Sequence, residues 1–223
     1  MATSSMGIGV LNPDSTYTFS KFFELKIPAD ELAESFGYRL TKQKLHLPQS
    51  ISDLDRLDEL KLRIEEVLPY VDLSNEASRR EILISRVATE LIYYTKASLR
   101  IEYPLTVNSQ LQGYLDYLFR GESELLVIEA KRQDLDYGMT QLVAELIALD
   151  KWERTPQQST LLGAVTTGKL WEFALLNRKE QHVYVGLESY RVPEDVDTLM
   201  RILVQAILEG TNCSADRSAE KLS

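Results

Sequence analysis

The feature that most constrains this chain of 223 residues is a short segment, residues 124–131, that is aliphatic in its middle and charged at its end. Its sequence, ELLVIEAK, has four consecutive apolar residues, as expected of a strand covered on both faces of a sheet. A stretch with helical spacing, residues 137–152, and a second apolar segment, residues 160–166, follow it. Strand, helix and strand in this order predict a βαβ unit with parallel strands.

The rest of the chain predicts an α/β fold in which helices flank a mixed central sheet. Apolar three-and-four spacing and Pro28 predict further helices over residues 28–36, 53–71, 76–97 and 193–208. Alternating patterns predict further strands over residues 99–107, 110–119, 169–176 and 182–187. The remainder of residues 16–50 suggests aromatic-rich, strand-like pieces. We expect three parts: an N-terminal segment (residues 1–72, beginning with a loose arm), a core (residues 73–210) and a disordered tail (residues 211–223).

Charge and cysteine content limit the classes of function. The net charge of −9 argues against a protein that coats nucleic acid by bulk electrostatics, although a nuclease needs only a local basic rim. No apolar stretch approaches the roughly 20 residues of a membrane span, and no secretory signal is recognisable. The single cysteine, Cys213, is consistent with a reducing compartment. These features predict a cytoplasmic protein that does not enter membranes.

Three charged residues are predicted to converge on one face of the sheet. Glu129 and Lys131 lie two apart on one strand and therefore share a face. A tight hairpin before that strand would place Asp116 opposite Val127 and diagonal to Glu129, whereas a slip of one residue would turn Asp116 away. Charged groups at the end of a buried strand are costly unless they are paired, hydrated or bound to an ion. The alternative is an ordinary Glu and Lys at the solvated end of a strand.

The pattern of Asp116 followed by Glu129-Ala130-Lys131 resembles the PD-(D/E)XK nuclease superfamily, which has the restriction-endonuclease-like fold. More particularly, LVIEAK, the later Gln141 and the sequence VTTGKLWEF (residues 165–173) look like the N-terminal nuclease domain of type I restriction-enzyme motor subunits. The resemblance covers about half of the chain and implies a restriction-endonuclease-like core within residues 73–210. Leu115 stands where the superfamily often has proline.

The resemblance also implies roles for these residues. Asp116, Glu129 and the backbone carbonyl of Ala130 would ligate Mg²⁺, for which Mn²⁺ can substitute. Lys131 would position or activate the attacking water and stabilise developing charge, and Gln141 would act near the site. The four side chains Asp116, Glu129, Lys131 and Gln141 are thus the candidate catalytic set.

An acidic residue on the helix before the strands often completes sites of this kind. We favour Glu90 as this further metal ligand because it interrupts an otherwise apolar helical stripe. Glu76 and Glu81 stay open as alternatives, and so does an ordinary surface glutamate without a role at the site. Glu145 lies one turn beyond Gln141 and shares its helix face. For Glu145 we expect a solvated surface position.

The leading hypothesis is therefore a magnesium-dependent nuclease that hydrolyses phosphodiester bonds; we expect DNA as its substrate, and RNA stays open as the alternative. The resemblance further implies a homodimer or a larger restriction or defence assembly. A second hypothesis is a nucleic-acid-binding or protein-interaction module that keeps the fold without turnover. A third is a small regulatory protein that docks through its acidic helices. The intact acidic pair and lysine favour the first hypothesis, and the acidic net charge favours the third.

Overall fold

A computed structural model describes residues 11–12, 14–131 and 134–209 of the protein. Within these residues, seven strands form one mixed, open sheet, and helices cover both of its faces. The predicted α/β fold class is therefore confirmed. The expected loose arm falls largely outside the described residues, and the expected disordered tail and Cys213 fall wholly outside them.

The helices of the described residues are short except for two, one central and one at the end of the described chain. Their bounds are α1 Phe19–Leu25, α2 Ala29–Ser35, α3 Leu57–Val67, α4 Glu76–Arg79, α5 Ser85–Thr95, α6 Leu135–Lys151 and α7 Val196–Leu208. A π-helical turn joins α4 to α5, so the two form the single long helix that the sequence predicts. Its first turn is capped by Asn75, whose side chain accepts a hydrogen bond of 2.8 Å from the Ser78 N–H.

The strands agree closely with the alternating and apolar segments of the sequence. Their bounds are β1 Arg39–Gln43, β2 Ser98–Asn108, β3 Leu111–Arg120, β4 Leu125–Ala130, β5 Thr160–Thr166, β6 Leu170–Asn177 and β7 His182–Arg191. The order across the sheet is β1-β7-β6-β5-β4-β3-β2. The strands β4 and β5 pair in parallel on either side of α6 in sequence, as the βαβ prediction requires. The hairpins β2–β3 and β3–β4 are antiparallel, also as predicted.

Helix α6 lies between two apolar layers. One side of it packs on the sheet, where a Cβ atom at Gly163 of β5 would come within 2.7 Å of Leu142 Cδ1. The glycine thus allows α6 to approach the strand closely. Helices α1 and α2 pack against α6 from outside, and the helix is buried from Gly138 to Leu149. The other face of the sheet is covered by α3, α5 and α7.

The N-terminal segment is more closely joined to the sheet than the predicted division at residues 72 and 73 suggests. Strand β1 pairs in parallel with β7 as an edge strand of the same sheet. The aromatic segment that we expected to be strand-like forms helix α1 instead, with Phe19 and Phe22 fully buried. Among the helices of the described ranges, none combines the length and the hydropathy that a membrane span requires.

Candidate active site

The β3–β4 hairpin brings Asp116 to Glu129 in a register that differs from the predicted one. Arg120 pairs with Leu125, so the turn between them has four residues rather than two. When this register is continued, Asp116 lies opposite Glu129 and not opposite Val127. The displacement is of two residues, an even number, and therefore leaves Asp116 on the predicted face. The two acids are direct neighbours instead of diagonal ones.

The carboxylate of Asp116 lies at the end of β4. Its Oδ2 atom accepts a hydrogen bond of 2.8 Å from the Ala130 N–H. Its Oδ1 atom lies 3.6 Å from Nη1 of Arg80, whose Nη1 is also 3.4 Å from Oε1 of Glu102. Arg80 was not among the predicted site residues, because its position in the π-helical turn is not evident from sequence. It provides positive charge beside the first acid of the motif.

Glu129 and Lys131 form an ion pair at the end of the strand, as their spacing allows. The Lys131 Nζ atom donates to Glu129 Oε1, and the Glu129 side chain is only 1% exposed. Gln141 of α6 lies in the same cluster and is likewise buried. Of the four predicted catalytic side chains, Glu129 and Lys131 are thus in direct contact, and Gln141 lines the same pocket as Lys131. Asp116 lies on the neighbouring strand and completes the group.

Glu145 also belongs to this cluster, which corrects the expected solvated position. It is fully buried, and its Oε1 accepts a hydrogen bond of 2.9 Å from Gln141 Nε2. Its carboxyl group lies against that of Glu129, close enough to share a proton. The four-residue spacing from Gln141 indicated the shared helix face but could not indicate its depth, because helix α1 was not predicted.

Three buried oxygen atoms of the cluster have no hydrogen-bond donor. They are Glu129 Oε2, Gln141 Oε1 and Glu145 Oε2. Buried polar atoms in proteins are almost always satisfied, and exceptions call for a ligand, a proton or a bound ion. Because all three are oxygen atoms on contacting or hydrogen-bonded side chains, the cluster is rich in acceptors and poor in donors.

Burial and mutual repulsion shift the titration of these groups. Burial, followed by the charges of Glu145 and Asp116, raises the pKa of Glu129 well above its usual value. Burial likewise raises the pKa of Glu145, to about 7. Burial alone would lower the pKa of Lys131, but the adjoining Glu129 carboxylate outweighs it, and the pKa of Lys131 is raised. Lys131 is therefore an ammonium at neutral pH.

A pocket of about 440 Å³ leads from the surface to Lys131 and Gln141. Helix α1 forms one wall of the pocket through Ser20, Phe23 and Glu24. The Lys131 Nζ atom lies 4.9 Å from the centre of the Phe23 ring, a cation–π distance. The N-terminal segment, for which the sequence suggested no role, therefore contributes to the candidate site.

Gly138 in the first turns of α6 makes room for the Lys131 side chain. A Cβ atom at this position would lie 2.9 Å from Lys131 Cγ and 2.8 Å from Val165 Cγ2. Both distances are shorter than a normal contact, so any larger residue would have to displace the lysine, the valine or the helix. The glycine thus helps to fix where the lysine stem lies.

The structure does not bring Glu90 to the cluster, and the choice of Glu90 as a metal ligand needs correction. Glu90 lies on α5, on the opposite face of the sheet from α6. Its Oε1 accepts hydrogen bonds of 2.9 Å from Arg56 and from Arg63, which join α3 to α5. The interruption of the apolar stripe is thus explained by an ion-pair network. Of the alternatives, Glu76 lines the pocket with Lys131, whereas Glu81 is exposed and does not.

The cluster is not arranged as a ready metal site. In the part of the chain that the structure describes, no three His, Cys, Asp or Glu side chains are grouped to hold a metal ion. In addition, Lys131 occupies one oxygen of Glu129, and the Ala130 N–H occupies one of Asp116. The donor set nevertheless suits a hard cation, because it consists of carboxylate and amide oxygen atoms. The donorless oxygens of Glu129 and Gln141 are free to take part.

Sequence comparisons add no family assignment to this geometry. No model of a known protein family matches the chain. A search of curated proteins also finds no similar sequence. The candidate site is therefore defined by its geometry alone, that is, by the arrangement of Asp116, Glu129, Lys131, Gln141 and Glu145.

Proposed function

We propose that the protein is a metal-dependent nuclease that hydrolyses phosphodiester bonds, with DNA as its substrate. The observation that carries this proposal is the group of buried, donorless oxygen atoms of Glu129, Gln141 and Glu145 beside the Lys131 ammonium. Metal-assisted phosphodiester cleavage requires oxygen ligands for a cation and positive charge near the reacting phosphate. The cluster offers both, and two of its members, Lys131 and Gln141, line an open pocket.

Mg²⁺, or Mn²⁺ in its place, is the cation that fits this donor set. Glu129 and Asp116 would hold it with the carbonyl oxygen of Ala130, as the resemblance to PD-(D/E)XK nucleases implies. When bound, the metal supplies Lewis-acid chemistry for phosphoryl transfer. Binding requires the ion to compete with Lys131 for Glu129 and with the Ala130 N–H for Asp116.

Lys131 serves in this proposal as a fixed positive charge. Its raised pKa keeps the amine protonated at neutral pH, so it stabilises negative charge on the phosphate and does not accept a proton. Phe23 of α1 and Gly138 of α6 hold its stem and its ammonium group in place. Gln141 holds the Glu145 carboxyl group through its amide N–H.

The second candidate function is a nucleic-acid-binding module without turnover. It is favoured by Asp116, whose carboxylate is already engaged by the Ala130 N–H and by Arg80. Under both candidate functions we expect a cytoplasmic location and a nucleic-acid partner. Assembly as a homodimer or within a restriction or defence complex stays a prediction of the resemblance.

One assay separates these functions. Purified protein is incubated with supercoiled plasmid, single-stranded DNA and RNA in the presence of Mg²⁺, Mn²⁺ or EDTA. We expect DNA cleavage that EDTA abolishes and that Lys131→Ala slows by roughly 100-fold to 1000-fold, as for loss of one group that stabilises transition-state charge. Lys179→Ala, which removes an exposed lysine of the β6–β7 turn, is the matched control and should cut like the wild type.

The outcomes point to different functions. Binding of DNA without cleavage under any metal condition would favour the module. If the protein neither binds nor cleaves nucleic acid, both nucleic-acid functions are refuted and the regulatory protein is favoured. Equal cleavage by the wild type and Lys131→Ala would show that the nuclease activity does not come from this cluster.

A further inference from the structure

The contact between Glu129 and Glu145 is the feature of this site that the motif does not account for. The two residues come from different elements, β4 and α6, and are 1% and 0% exposed. One oxygen of each has a donor, since Lys131 donates to Glu129 Oε1 and Gln141 Nε2 donates to Glu145 Oε1. The second oxygen of each has none, and neither has the amide oxygen of Gln141.

A proton or a water molecule could relieve only part of this arrangement. One shared proton joins the two carboxyl groups but leaves the amide oxygen of Gln141 without a donor. A water molecule donates two hydrogen bonds but brings no charge to offset two acids in a buried site. A divalent cation satisfies oxygen atoms of all three side chains and neutralises the second acid, for which Lys131 alone is insufficient.

We propose that Glu145 is a metal-ligating residue, which holds the divalent cation together with Glu129. The amide oxygen of Gln141 lies beside the cation in this site. This inference rests on the proposed function and extends its metal site from the strands to helix α6. The ligand set is then built on β4 and α6, with Asp116 completing it from β3.

The chemistry of the site indicates which cation suits it. All of the donors are oxygen atoms, and neither of the two histidines of the chain lies on β4 or α6, so zinc is not favoured. The site is also almost fully buried, and a bound ion must shed much of its water. Mg²⁺ dehydrates reluctantly, and Mn²⁺ binds such oxygen ligands more tightly. We therefore expect the site to bind Mn²⁺ more tightly than Mg²⁺, and Mn²⁺ is the probe of choice.

The test measures binding of MnCl₂ to metal-free protein by isothermal titration calorimetry, beside the plasmid-cleavage assay. We expect Glu145→Gln to weaken Mn²⁺ binding by at least about tenfold. Mutation of a residue that only supports a metal ligand already costs about tenfold or more in metal affinity, so loss of a ligand should cost no less. Glu122→Gln removes an exposed glutamate from the turn before β4 and is the matched control, with wild-type affinity expected. Glu145→Asp, which keeps the charge but withdraws the carboxylate, should also bind Mn²⁺ more weakly.

Thermal melting supplies a readout that does not depend on turnover. Mn²⁺ should raise the melting temperature of the wild type and of Glu122→Gln, and should raise that of Glu145→Gln much less. Wild-type Mn²⁺ affinity in both Glu145 variants overturns the assignment of Glu145, and metal-dependent cleavage by the wild type would then still support the nuclease. If the wild type binds no Mn²⁺ and cuts no DNA, the proposed function fails together with this inference.

Discussion

Replacing Glu145 by glutamine should stabilise the metal-free protein, and by an amount that depends on pH. Burial raises the pKa of Glu145 from 4.5 to about 7 in the folded state. Between these values the folded protein binds more protons than the unfolded chain, so stability falls as pH rises through this window. The contribution is fully present below pH 4.5 and is lost above the folded-state value.

The magnitude follows from the size of the shift. Each pKa unit corresponds to about 1.4 kcal/mol, so the wild type loses roughly 3 kcal/mol from this group between pH 4.5 and 8. Glutamine does not titrate and keeps an oxygen to accept from Gln141. Its amide N–H can also donate to the bare oxygen of Glu129. Glu145→Gln should therefore match the wild type at pH 4.5 and exceed it by roughly 3 kcal/mol at pH 8, a rise in Tm of roughly 6–12 °C.

The measurement is urea unfolding in EDTA at several values between pH 4.5 and 8, on the wild type, Glu145→Gln and Glu122→Gln. The difference between wild type and Glu145→Gln removes the contributions of titrating groups that do not interact with Glu145, so it reports on Glu145 and on the Glu129 carboxyl group coupled to it. The exposed control Glu122→Gln should stay within about 0.5 kcal/mol of the wild type throughout. Parallel curves for the wild type and Glu145→Gln across this range would refute the claim that a buried carboxyl group at Glu145 titrates near neutral pH.

Three further substitutions test other parts of the structure. Gly138→Ala should lower the free energy of unfolding by about 1 kcal/mol, since overpacking against Lys131 outweighs the gain in helix propensity, and should slow plasmid cleavage; unchanged cleavage and stability would contradict the close contact. Glu90→Ala should lower the free energy of unfolding by about 2 kcal/mol, because it removes the buried carboxylate that Arg56 and Arg63 share and leaves Arg63 only its pair with Glu59, but should leave Mn²⁺ affinity unchanged in calorimetry. Tyr38→Phe removes a hydrogen bond of 2.6 Å to Asp150 and should cost about 1 kcal/mol in urea unfolding, with no effect on cleavage.

The sequence was sufficient for the centre of the fold. The apolar runs of β4 and β5 and the spacing of α6 predict a parallel βαβ unit, and the structure has it. The predicted hairpin register was wrong by two residues, because the turn is longer than the tight one assumed. The face of Asp116 was nevertheless right, since side chains alternate with a period of two and an even error preserves it.

The depth of the site could not be predicted in the same way. Aromatic residues favour strands, so the segment containing Phe19 and Phe22 was interpreted as strand-like, whereas it forms α1 and packs on α6. Without that cover, α6 was expected to have a solvated side, and Glu145 was placed on it. The error at Glu90 has a related cause, because a buried acid on an apolar stripe can equally be paired with arginines from a neighbouring helix.

The parallel pairing of β1 with β7 joins the first and the last strand of the described chain. Thr41 and His182, which are 141 positions apart, meet across it through a hydrogen bond of 2.9 Å. During synthesis on the ribosome β1 cannot pair until β7 has been made. In the meantime the apolar side of helix α1 must not associate with other apolar surfaces. A chain shortened to begin at residue 73 would escape this delay, but it would lack the α1 wall of the pocket and would leave one side of α6 bare to water.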